Sequence, residues 1–242
     1  MPTIAFQNIQ TIFRREVRAY FNSPVAYVVI VVFLAITGWF FTSTLFLNNV
    51  ASMYMVFESF VLRILLIVFA PAVTMRLLAE ERKSGTFELL ATKPVRDSEI
   101  VLGKFLAAWA LLGATLLPTL LYLFTLMFLG SIDIGPVISG YIGLLLVGGV
   151  YIAIGLLASS LTENQIVAFI ISFLIIVVFF LLDKMLMFVP EGLTSTMEFL
   201  SIDSHYSSIA RGVIDSRDLL YFLSLLGFSL YLTSVSLERR KW

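Results

Sequence analysis

Six long apolar runs separated by short polar stretches set the frame of this 242-residue chain. A helix needs about 20 apolar residues to cross a ~30 Å hydrocarbon core. Such windows fall at residues 25–47, 60–79, 101–129, 137–161, 166–182 and 219–237. They predict six transmembrane helices, and so an all-α polytopic membrane protein. In lipid every backbone N–H and C=O must be satisfied internally, which a helix achieves within one segment. The third run is longer than a simple crossing and contains Pro118, which predicts a kink or a tilt. The second has Pro71 inside it, with Arg63 and Arg76 towards its two ends.

The polar stretches carry shorter patterns. Ile9, Ile12, Phe13, Val17, Tyr20 and Phe21 recur at steps of three and four, with Arg14, Arg15 and Arg18 largely on the other face. This predicts an amphipathic helix over 4–21 lying in the membrane interface, its three arginines anchored at anionic headgroups. Asn22-Ser23-Pro24 then turns the chain into the membrane. The run that follows is long enough to span, and Asn48 and Asn49 rather than small residues close it. It therefore reads as an uncleaved first helix.

The loop 80–99 is longer than a turn between spans needs. Ser84-Gly85-Thr86 breaks it, Phe87, Leu89 and Leu90 suit a short helix, and Lys93-Pro94-Val95 ends that helix. Asp97 or Ser98 is expected to cap the next helix, with Glu99 in its first turn. On spacing alone, a docking knob bearing Phe87 and Glu88 and a plain solvated loop are equally supported. The loop 183–218 contains apolar stretches around Leu186 and Phe199 that are too short to span. They suit paired half-helices dipping into the outer leaflet or a small amphipathic lid. His205, in the same loop, is expected to be exposed.

Charge placement orients the chain. Only 13 % of residues are charged, against about 25 % in soluble domains. With the amino terminus inside, twelve of the 16 basic residues fall on the inner side, leaving Arg63, Lys184, Arg211 and Arg217 outside. Both termini are thus expected in the cytoplasm. A net charge of zero gives no sign of nucleic acid as a partner. The absence of cysteine excludes disulfides and thiolate chemistry, and the single histidine excludes a multi-histidine metal centre.

Spans three to six carry no ionisable group at depth, which disfavours a proton-coupled transporter, pump or intramembrane protease. Arg63 and Arg76 lie near enough to the ends of span two to snorkel, and Glu58 is expected to pair with Arg63 as an interface anchor. The one Gly-Lys pair, Gly103-Lys104, precedes Phe105, so no phosphate loop is present. The chain is expected to be no enzyme and to hold no cofactor, its energy arriving through another subunit. Small residues at Gly140, Gly143, Gly148, Gly149, Ala153 and Gly155, and at Gly103 and Ala107, favour close helix packing.

These features resemble the type-2 (ABC-2) ABC exporter permeases, most closely the branch that includes gliding-motility-type permeases. The resemblance rests on Glu81-Arg82-Lys83-Ser84-Gly85-Thr86-Phe87-Glu88-Leu89-Leu90, Lys93-Pro94-Val95 and Glu99-Ile100-Val101-Leu102-Gly103-Lys104. Gly155 to Gln165 and the terminal Glu238-Arg239-Arg240-Lys241-Trp242 support it. It implies that residues 4–21 form an elbow helix. It also implies that Ser84, Gly85, Thr86, Phe87, Glu88, Leu89 and Leu90 form a coupling helix seated in a separate ATP-binding subunit. Thr162, Glu163 and Asn164 would make a second contact, and the stretches around Leu186 and Phe199 would be re-entrant half-helices. Two permease chains, identical or related, and two ATPase subunits holding ATP and Mg would work together in the bacterial inner membrane, among its lipids. The competing expectations are an ABC-like complex passing force or signal to an outer, periplasmic accessory partner without moving solute, and an ATP-independent channel.

Overall fold

The computed structural model describes residues 2–48, 53–85, 95–130, 132–186 and 190–239. Among them every regular element is helical. Helix α1 (Pro2–Phe21) ends at a two-residue break, and α2 (Pro24–Asn48) opens on Pro24, where the missing N–H has no helical partner to lose. A single turn, α3 (Tyr54–Phe57), precedes α4 (Phe60–Thr74), and α5 (Ala79–Lys83) follows after four turn residues. The third crossing is α6 (Asp97–Leu116), a 3-10 turn (Leu117–Thr119) and α7 (Leu120–Leu129). Pro118, where a kink or tilt was expected, lies inside the 3-10 turn that interrupts the α-helix. Then come α8 (Ile134–Leu161), α9 (Gln165–Met185), α10 (Glu191–Leu200), α11 (Ile202–Ala210) and α12 (Ser216–Glu238).

Six stretches are long and apolar enough to cross a membrane: Pro24–Leu47, Phe60–Lys83, Asp97–Leu129, Ile134–Leu161, Gln165–Met185 and Ser216–Glu238. Helix α8 is their axis. Its most apolar window is 78 % buried, against 22 % for α2, α9 and α12, and it packs on α4, α6, α9, α11 and α12. The missing side chains of its glycines permit this. A Cβ at Gly148 would collide with Leu112, and one at Gly155 with Thr74. The small residues on α8 therefore serve packing within the chain.

The end of the bundle that carries α11 is closed by ion pairs. Asp203 on α11, 5 % exposed, accepts from Arg63 Nη1 through both carboxylate oxygens, at 2.5 and 2.6 Å. Lys184 reaches the same carboxylate at 2.9 Å. Arg63 also meets the Glu58 carboxylate at 2.7 Å, as expected, but the pairing with Asp203 was not anticipated. It draws Arg63 across to α11 rather than out to the interface. The Tyr206 hydroxyl donates to the Phe57 carbonyl at 3.0 Å, and burial raises its pKa above the ordinary tyrosine value.

His205 is not the exposed loop residue expected. It lies on α11, with Nδ1 2.6 Å from Asp218 Oδ1, Nε2 3.0 Å from the Phe199 carbonyl and its ring stacked on Tyr221 at 4.1 Å. It fastens α11 to α12. Gly212, at φ +100°, ends the α11 turn in a left-handed conformation that glycine adopts without strain.

Candidate functional site

Three helix ends meet at the opposite, arginine-rich end of the bundle: the length of α1, the short α5 and the start of α6. Helix α1 packs mainly on α6. Ile12 and Tyr20 are buried there, while Arg14 and Arg18 face outwards. The approach is close at Gly103, where a Cβ would lie 2.7 Å from Ile12 Cγ2 and 3.2 Å from the Ile9 carbonyl. The small residue that reads as a helix-packing signal thus receives α1, not another span. The apolar face expected of α1 is present, except that Phe21 is 36 % exposed.

Lys104 lies seven residues into α6, or about 10 Å along its axis, and is 1 % exposed. Lysine is almost never buried so deeply without partners. Here it has two, 3.1 Å from Glu16 Oε1 on α1 and 2.8 Å from Glu81 Oε1 on α5. Arg15 bridges the same two oxygens at 2.6 Å each. The pair of carboxylates and the pair of cations balance, so the cluster is neutral and joins all three helices.

The electrostatics follow from this geometry. Burial acts to raise the Glu16 pKa, but Lys104 beside it, then hydrogen bonds from Arg15 and Lys104, hold it below its ordinary value. Arg15 is raised, burial being outweighed by Glu16 and Glu81. Burial, then the Glu16 charge, pushes the Tyr20 phenol well above its ordinary range. Its hydroxyl donates to the Val73 carbonyl at 3.0 Å, and the Arg76 guanidinium lies over its ring at 5.3 Å. These groups border a cleft of about 380 Å³ between α1, α5 and α6.

A second junction ties α5 to α8. Ser159 Oγ accepts from the Leu78 and Ala79 amides at 3.2 and 3.1 Å and donates to the Met75 carbonyl at 3.0 Å. It thereby satisfies the backbone groups released where α4 breaks. Arg82 donates to the Ser160 carbonyl and lies 4.0 Å from Glu163. Short α5 is thus fixed on one side to α1 and α6 and on the other to α8.

Of the residues expected at a coupling helix, Ser84 and Gly85 are exposed at the end of α5, and Gly85 turns left-handed at φ +69° to stop it. Thr86, Phe87, Glu88, Leu89 and Leu90 lie outside the described residues. Arg96 occupies the N-cap position of α6 in place of Asp97 or Ser98. Glu99 reaches back to the Arg96 amide at 3.2 Å and accepts from Asn8 of α1 at 2.9 Å. At the second expected contact, Thr162 and Asn164 make the α8–α9 turn. Thr162 Oγ1 accepts from the Asn164 amide, and Asn164 caps α9 through the Ile166 amide. Glu163 is exposed beside Arg82. Arg15 is drawn into the ion cluster, whereas Arg14 and Arg18 remain outward.

Lys104, Glu16, Glu81 and Ser159 are the residues the pattern did not single out for this site. One signal existed: a lysine just inside an apolar window needs an acid partner. Nothing in the spacing could say that one partner stands 88 positions earlier.

A family described as ABC-2 family transporter protein matches residues 10–238. No curated protein matches the chain.

Proposed function

The chain belongs to the ABC-2 family of transporter proteins, and from that premise we propose how it takes up work from a separate ATP-binding subunit. Membership makes it a multi-pass permease subunit of an ABC transporter. Our reading is that the end carrying α1 and α5 faces the cytoplasm of a bacterial cell, in its inner membrane. There residues 84–90 seat in the ATP-binding subunit and 162–164 make a second contact. Two permease chains and two ATPases, the latter holding ATP and Mg, form the working unit. Within the family, the motifs quoted above bring the chain nearest to the gliding-motility-type branch.

The observation that carries this reading is the double anchorage of α5. The segment 84–96 has α5 at one end and the start of α6 at the other. A push on it reaches Lys104, Glu16 and Glu81 directly, and Ser159 and Arg82 pass it to the central helix α8. A displacement there moves α1, α6 and α8 as joined bodies, the kind of helix shift by which packed membrane halves change state. The outcome is export or conformational work across the membrane.

The test is to tag the chain, extract it gently and measure the co-purifying ATPase. A near one-to-one ATP-binding subunit, lost when Phe87 and Glu88 are both changed to alanine, is the expected result. Lys104→Met should keep that partner while lowering ATP-driven transport or work per ATP hydrolysed. A partner-free oligomer that conducts without ATP would overturn the reading.

A further inference from the structure

Beside the ion cluster, the same end of the bundle contains a second opening. Between the last turns of α8 and α12 lies a groove of about 470 Å³, walled by Leu157, Leu161, Leu232 and Val235, with Ser236 and Arg239 at its mouth. From Leu232 to Arg239 it runs two helical turns, about 10 Å, or roughly two thirds of one leaflet's half of the ~30 Å hydrocarbon core. Its mean cross-section is then about 45 Å², well under the roughly 80 Å² of a helix with its side chains. A groove of this width takes acyl chains.

The mouth selects the headgroup. Among the described residues, Arg239 has no carboxylate within ion-pairing distance, and no acidic residue lines the groove to receive an ammonium. An arginine at the top of an apolar slot matches a phosphate above an acyl chain, and with no acid lining the slot the ammonium of a zwitterionic headgroup gains no partner there. We propose that this groove binds an anionic phospholipid of the cytoplasmic leaflet, its phosphate on Arg239 and Ser236 and its acyl chain along Leu161 and Leu232. The leaflet rests on the orientation argued above; the site itself does not depend on the ATPase.

The test uses the full-length permease alone, purified in detergent and titrated with phosphatidylglycerol or phosphatidylcholine of identical chains, with binding read by native mass spectrometry. The first phosphatidylglycerol should bind about five- to tenfold more tightly. Arg239→Gln should abolish that preference, and Leu232→Trp, which fills the slot, should weaken both lipids, with the unfolding midpoint unchanged in each. Soluble glycerol phosphate should not compete, since it lacks the chain. Equal affinity for the two lipids would overturn the proposal, as would competition by glycerol phosphate. So would a preference erased as fully by Arg240→Gln while Leu232→Trp has no effect, which would show surface charge alone. Cross-linking of two chains through Leu161 and Leu232 would overturn it in favour of a permease–permease contact. Because no ATPase is present, failure here leaves the coupling reading standing, and failure of that reading leaves this one.

Discussion

Replacing Lys104 with methionine tests the central junction. Methionine keeps the length and apolar volume of the lysine stem, so little cavity opens. What goes is the ammonium that meets Glu16 at 3.1 Å and Glu81 at 2.8 Å. Two carboxylates, 12 % and 16 % exposed, are left to share Arg15, which is itself 49 % exposed. Removing one partner of a buried ion pair typically costs 3–5 kcal/mol. The 380 Å³ cleft beside these groups admits water, and Arg15 remains, so the lower end applies, about 3 kcal/mol. For a chain of this length that corresponds to a fall of roughly 6–12 °C in unfolding midpoint. The assay is thermal unfolding of purified variants in one detergent, followed by tryptophan fluorescence. The triple variant Glu16→Gln, Glu81→Gln, Lys104→Met removes the uncompensated charges and should recover most of the loss. A Lys104→Met midpoint within about 2 °C of the parent, or a triple variant no better than the single, would refute the argument that neutralisation holds the three helices together.

Two further outcomes follow from the ion pairs. Asp203→Ala should cost about 3 kcal/mol, because it strands Arg63, 12 % exposed, beside Glu58. A cysteine at buried Ile209 should then label faster with a thiol reagent, and unchanged labelling would show that α11 is held by packing alone. The Glu16 carboxyl is held below its ordinary 4.5 in the folded chain. Its contribution is therefore complete above about pH 4.5 and lost as pH falls through the lowered folded value. The unfolding midpoint should drop more steeply in acid for the parent than for Glu16→Gln, and parallel pH profiles would contradict the pairing.

Much of the membrane architecture was legible because lipid imposes a one-dimensional rule. Length and apolarity alone decide whether a segment crosses, so the six spans could be read from residue windows, and Pro118 marked the 3-10 interruption of the third through local geometry. The α1 face was legible for the same reason, since Ile12, Val17 and Tyr20 repeat at helical spacing whatever they later meet. His205 was misread because a lone polar residue between apolar stretches carries no trace of its partner. Asp218, Phe199 and Tyr221 reach it only after α11 folds back.

The chain's order of residues thus determined how many helices it makes, which of them suit lipid, and that its charges crowd one end. Which of those charges are buried was decided by tertiary structure. Lys104 is a surface-rule lysine in sequence and a 1 % exposed bridge in the fold, because helices 88 and 23 positions away supply its carboxylates. Propensity and hydropathy act between neighbours along the chain. Burial of a charge depends on what three-dimensional packing brings to meet it, and at Gly103, Ser159 and Arg63 that partner is remote in sequence.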